Sequence, residues 1–143
     1  MKGRYRIVFA VLGFIIFFFS MEARAVDWVF YAEAKSGGDV YYYDPQSIKR
    51  VSKDLVRVWE KTSYSEKGLQ NAIKEFGPKF AGLSYSVTLN EYNCSEKKVC
   101  ILSLTFYNQD GGVIMTYNSS SSWNFVPPES MAEIILNIVC GSR

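Results

Sequence analysis

The chain has 143 residues, of which 48% are hydrophobic and 16% aromatic, enough for one folded domain and far from the composition of a disordered segment. Its formal charge is +2 with no basic stripe of the kind that neutralises phosphates, so no nucleic acid is expected as a partner. Histidine is absent, which removes the commonest general base and the commonest zinc ligand.

Lys2, Arg4 and Arg6 precede an apolar run over 7–19, and Ala23-Arg24-Ala25 supplies the small-x-small pattern that signal peptidase reads. Thirteen apolar residues fall short of the roughly 20 that a bilayer span needs. The segment 1–25 therefore reads as a cleavable signal peptide, cut between Ala25 and Val26, with a single mature domain over 26–143. No Cys stands at the predicted mature start to take a lipid, and no membrane span is expected after cleavage. Losing Lys2, Arg4, Arg6, Arg24 and Glu22 takes the charge from +2 to −1, so the basicity belongs to the targeting segment.

The mature part opens with two expected strands, 27–35 and 40–43, joined by the turn Ser36-Gly37-Gly38-Asp39. Asp44-Pro45-Gln46-Ser47 breaks the second. A third strand over 55–61 carries Val56 and Val58 on one face, Arg57 and Trp59 on the other. Ser63 with Glu66 reads as a capping box for a helix whose apolar face is Leu69, Ala72, Ile73 and Phe76, stopped by Gly77-Pro78. The segments 83–92, 99–107 and 113–117 then form a three-stranded meander. Alternation sets Leu83, Tyr85, Val87 and Leu89 on one side of the first, and Cys100, Leu102, Leu104 and Phe106 on one side of the second. Ser130 with Glu133 caps a last helix with the stripe Met131, Ile134, Ile135 and Ile138. The expected fold class is α+β, an antiparallel β-sheet of about six strands with one middle and one C-terminal helix packed on one face.

No motif for catalysis appears. The acidic residues are scattered, no Gly-rich phosphate loop follows a strand, and no Ser sits in a strand-to-helix elbow. The expectation is no enzyme, no catalytic residues, no metal and no cofactor. Cys94, Cys100 and Cys140 should yield one pair and one odd thiol in an oxidising compartment. Strand parity turns Cys94 and Cys100 to opposite faces, so Cys140 takes one of them. A helix lying over the apolar side favours Cys100, and a strand end within reach of the chain terminus favours Cys94. Parity leaves both open.

The order of these features resembles the surface-adhesin protein E-like family of bacterial exported domains. In the first half the resemblance rests on Trp28, Tyr43-Asp44 with Ser47-Ile48, and Val56-Arg57-Val58-Trp59. In the second it rests on Cys94 before a Lys-rich turn, Leu102-Ser103-Leu104 with Phe106-Tyr107, Asp110-Gly111, Trp123, Pro127-Pro128-Glu129-Ser130 and Val139-Cys140. It implies an antiparallel sheet packed by helix, exported to the periplasm or cell surface, and it places the family's two recurring cysteines on Cys94 and Cys140. The family name implies adhesion, a role of surface-anchored members. The expected function is an exported, non-enzymatic, adhesin-like binding module recognising a protein or cell-envelope partner. Without a lipid-anchor Cys, the alternative is a periplasmic structural or assembly factor. The candidate binding surface is Tyr41, Tyr43, Arg57 and Trp59, residue types that interfaces favour, although aromatics in strands also pack across the sheet.

Overall fold

The computed structural model describes residues 25–141; the expected signal segment 1–24 lies outside the described residues. In chain order the elements are β1 (Val29–Glu33), β2 (Val40–Tyr43), β3 (Lys49–Arg50), β4 (Leu55–Ser63), α1 (Glu66–Phe76), β5 (Leu83–Asn93), β6 (Lys98–Asn108), β7 (Val113–Tyr117), β8 (Asn124–Phe125) and α2 (Met131–Gly141). All strands join one antiparallel sheet in the order β1-β2-β4-β5-β6-β7, with β3 beside β4 and β8 beside β6. The fold is α+β, six strands wide, as the periodicity predicts. The two extra strands are two-residue pairings, too short to leave a periodic signal.

Both helices cover the same face. Val56 pairs with Tyr92, which pairs with Val99, and these stack under Ile135, Leu136 and Val139 of α2. At the other end Phe80, Leu83 and Phe106 pack against Leu69, Ala72 and Ile73 of α1. Between the two clusters the same inner face carries Glu60, which is buried. Its Oε2 accepts from the Tyr31 hydroxyl at 2.7 Å, and its Oε1 accepts from Asn90 Nδ2 at 2.9 Å and the Tyr92 hydroxyl at 2.7 Å.

Two bulges break the strict alternation that the sequence suggests. One lies between Leu83 and Tyr85, the other at Leu102, where Leu89 pairs with Ser103 while Asn90 pairs with Ile101. Each extra residue reverses facing along the strand. Leu83 therefore turns inward with Phe106, while Tyr85, Val87 and Leu89 turn outward. Cys100 and Phe106, expected on one side, lie on opposite faces. The expectation that the last helix covers the side holding Cys100 is corrected for the same reason: α2 lies over the Cys94 side. Cys94 and Cys140 are joined in a disulfide, and Cys100 is a buried free thiol whose Sγ lies 3.1 Å from the Ser121 carbonyl oxygen.

The cap of α1 also differs from expectation. Ser63 still belongs to β4, and Ser65 is the N-cap, its Oγ accepting from Gly68 N at 3.0 Å. Asp39, in the turn after β1, accepts from Ser65 N at 2.8 Å and Ser65 Oγ at 2.7 Å. Gly68 makes this latch possible, since a Cβ there would clash with the Asp39 carboxylate. At the other end Gly77 adopts φ 94°, a left-handed conformation that glycine takes at little cost, and the helix stops.

Candidate functional site

The face of the sheet opposite the helices is built from odd-numbered residues of β4 and β5 and carries an apolar stripe. Trp59 lies on β4 opposite Leu89, Lys61 opposite Val87, and Tyr85 opposite Tyr107. The Tyr85 and Tyr107 rings stack at 4.8 Å with an interplanar angle of 11°, and Lys61 Nζ sits 4.6 Å from the Tyr85 ring centre. Toward the edge, Phe30 and Tyr42 meet edge-on at 6.2 Å, and Phe30 is exposed.

Trp59 is held from behind by the gap between β2 and β3. Asp44 caps the 3-10 turn Pro45–Ser47 by accepting from Gln46 N. Its own N–H donates to the Trp59 carbonyl at 3.0 Å, and Ser47 Oγ accepts from Trp59 N at 2.9 Å. The sequence break at Asp44-Pro45 thus fixes the backbone that presents the indole. The N-terminal segment completes a groove of about 240 Å³ lined by Val26, Trp28, Asp44, Trp59, Val87, Thr105 and Tyr107. Val26, expected as the mature N-terminus, stands at that groove. Beside it Arg57 Nε donates to Glu91 Oε2 at 2.6 Å across the strand pair.

Of the four residues expected at a binding surface, the structure brings together only Arg57 and Trp59. Tyr41 pairs with Thr62 and Tyr43 with Glu60, so both belong to the inner, helix-covered face. Tyr43 packs against the core beside Tyr31, and burial pushes the Tyr41 phenol above its ordinary range. The run Tyr41-Tyr42-Tyr43 reads as one patch in sequence, but a strand sends its members to alternate sides and only Tyr42 faces outward. Trp28, Val87, Thr105 and Tyr107 were not legible as site residues. Trp28 carries no periodicity, and the outward placement of β5 depends on the bulge before Tyr85.

Among the described residues no group of three or more Asp, Glu, Cys or His side chains is placed to hold a metal ion. No helix among them is long and apolar enough to cross a membrane. The outer face offers aromatic and aliphatic contact, Lys61 and Lys98 over the Tyr85 and Phe125 rings, and the Asp44 carboxylate at the groove edge.

The family model described as surface-adhesin protein E matches residues 28–141. Among solved structures, Haemophilus influenzae protein E in its crystal form II is similar at 16% identity and a TM-score of 0.52, covering 78% of this chain and 87% of that one. Its selenomethionine form is similar at 13% identity and a TM-score of 0.51, covering 78% and 86%. At such identities the likeness concerns the fold. No curated protein sequence matches the chain.

Proposed function

Since the chain belongs to the surface-adhesin protein E family, we propose that it is an exported, non-enzymatic binding module that engages a protein or cell-envelope partner through the outer face of its sheet. The observation that carries this reading is the direction of β5: its apolar residues Tyr85, Val87 and Leu89 face away from the helices, beside Trp59 and Tyr107. An antiparallel sheet with one open side ordinarily turns polar residues outward. An open apolar and aromatic face instead supports recognition of a partner.

The test places a photo-crosslinking residue at Thr105 on the outer face, or at Thr88 on the inner face, in producing cells. A discrete crosslinked species should form from position 105 and not from 88, and Trp59→Ala should remove it while leaving the melting temperature within a few degrees. Equal crosslinking from both positions, or a species indifferent to Trp59→Ala, would refute the outer face as the binding surface.

Export is the second half of the proposal. Cleavage after Ala25 would leave Val26 as the first residue, at the rim of the groove. Protein recovered from cells should begin at Val26, and N-terminal sequencing that finds Met1 retained sinks this.

A further inference from the structure

We propose that the inner face holds a second, independent site, a cavity that binds a primary ammonium group on a short aliphatic stem. The cavity lies between the two apolar clusters and has a volume of about 290 Å³. Glu60 and Asn90 belong to its lining, with Thr62 and Thr88 beside them and Ile101 and Met131 among its apolar residues. The site does not depend on the outer-face reading.

Two observations give it its ligand. The first is a buried carboxylate without a cation. Among the described residues the ion pairs are Arg57 with Glu91 and Lys98 with Glu96, and neither reaches Glu60. Its partners are the Tyr31 and Tyr92 hydroxyls and the Asn90 amide, all neutral donors. Neutral hydrogen bonds offset only part of the cost of burying a charge, and a cation entering the cavity would offset the rest. The second is an orphan acceptor. Asn90 is buried, its Nδ2 is committed to Glu60, and its Oδ1 has no donor. Buried carbonyl oxygens are rarely left so, and this one belongs to a residue that lines the cavity.

An ammonium fits both demands. It carries one positive charge and three donors in a compact head, so it can serve Asn90 Oδ1, a remaining lone pair of Glu60 and a threonine hydroxyl together. The apolar lining suits a hydrocarbon stem, and the volume matches a short one. The positive end of α2 does not compete for the carboxylate. Its first turn is capped internally, Ser130 Oγ accepting from Glu133 N at 3.2 Å and Glu133 accepting from Glu129 N at 2.7 Å.

The test titrates purified protein at about pH 8, where an alkylamine is still protonated, with n-pentylamine, n-pentanol and Nα-acetyl-lysine amide, followed by NMR. Saturable pentylamine shifts are expected at Asn90, Ala132 and the Tyr31 and Tyr92 rings, with pentanol at least about tenfold weaker for want of charge. Tighter pentylamine binding is expected and would assign the amine to a free small molecule, whereas tighter binding of the lysine derivative would assign it to a lysine of a partner protein and overturn the outer face as the one protein-binding surface. Glu60→Gln should weaken either ligand about tenfold or more, while Trp59→Ala on the outer face should not change it. Should Glu60→Gln fail to fold, Ile101→Trp, at an exposed position of the lining, should block the cavity and abolish the shifts. Equal binding of the alcohol, binding unaffected by both inner-face variants, or shifts confined to the outer groove would overturn the proposal.

Discussion

The inner face of the sheet presents Glu60, Ser86 and Asn90 alongside Val56, Val58 and Tyr92, all of them buried. The outer face presents Trp59, Tyr85, Val87 and Leu89, with no helix above them. Buried polar groups between the apolar clusters of the covered side, and an apolar stripe beside Arg57, Glu91 and Lys61 on the open side, depart from the usual division of an antiparallel sheet. The inner polar groups are held by specific partners: Ser86 Oγ meets the Tyr64 hydroxyl at 3.0 Å, and Glu60 receives three donors. Burying such groups costs free energy unless they are bonded, so the inner face is committed to one arrangement. The outer stripe has no such commitment. The contrast teaches that folding determinants and recognition determinants occupy opposite sides of the same strands.

The largest effect should come from unclamping the inner face. The disulfide joins Cys94, just beyond β5, to Cys140 in the last turn of α2, a sequence separation of 46. Closing a loop of that length removes unfolded-state entropy equivalent to about 4 kcal/mol in the chain-entropy model. This is a large part of the roughly 5–15 kcal/mol expected for a domain. Cys140→Ser should lower the melting temperature steeply under oxidising conditions, and Cys94→Ser should match it. Under reducing conditions the wild-type chain should join them. A wild-type melting temperature unmoved by reductant would break the clamp argument.

A matched pair of substitutions separates the two faces next. Val58 is fully buried under α2, whereas Val87 is half-buried in the outer groove. Val58→Ala should cost about 2 kcal/mol, two methyl groups' worth of transfer plus a residual cavity. Val87→Ala should cost about 0.5 kcal/mol, as surface changes do. Crosslinking from position 105 should respond in the reverse order, lost in Val87→Ala and kept in Val58→Ala. Equal stability losses, measured by urea unfolding, would erase the distinction between the faces.

Much of the inner face was legible in the sequence because helix and strand periods report burial directly. Leu69, Ala72 and Ile73 recur at helical spacing and do pack on the sheet, and Val56 alternates with Arg57 as the register requires. The outer site was half legible. Arg57 and Trp59 followed from parity within one strand, but Tyr85 and Val87 did not. A bulge changes facing by one residue without a composition signature, and β5 and β6 each meet one. Glu60 was invisible for another reason. A glutamate between Trp59 and Lys61 reads as surface charge, and only the tertiary placement of Tyr31 and Tyr92 shows it buried. Likewise Ser63 and Ser65 offer similar capping chemistry, and Asp39, 26 residues from Ser65, decides between them.

The smallest effect concerns the slope of stability with pH rather than its level. Burial pushes the Glu60 carboxyl above its ordinary value near 4.5, and the hydrogen bonds from Tyr92, Asn90 and Tyr31 pull it back only in part. The folded chain therefore holds this proton to higher pH than the unfolded chain does. Between the two values the native state binds more protons, so stability must fall as pH rises through that window. The contribution is complete below the unfolded value and gone above the folded one. Glu60→Gln preserves shape and can still bond Tyr31, Asn90 and Tyr92, yet it cannot titrate. The variant should match the wild type most closely at low pH and gain on it as pH rises through the raised value of Glu60. Arg57→Gln, on the outer face, leaves the buried Glu91 carboxylate without its cation and should lower stability by about 1–3 kcal/mol, without flattening the profile in that window. Unfolding curves measured from about pH 4 to pH 8 decide between the two: parallel profiles for wild type and Glu60→Gln would mean the carboxylate is solvated, and the inner face would lose its claim to be the committed one.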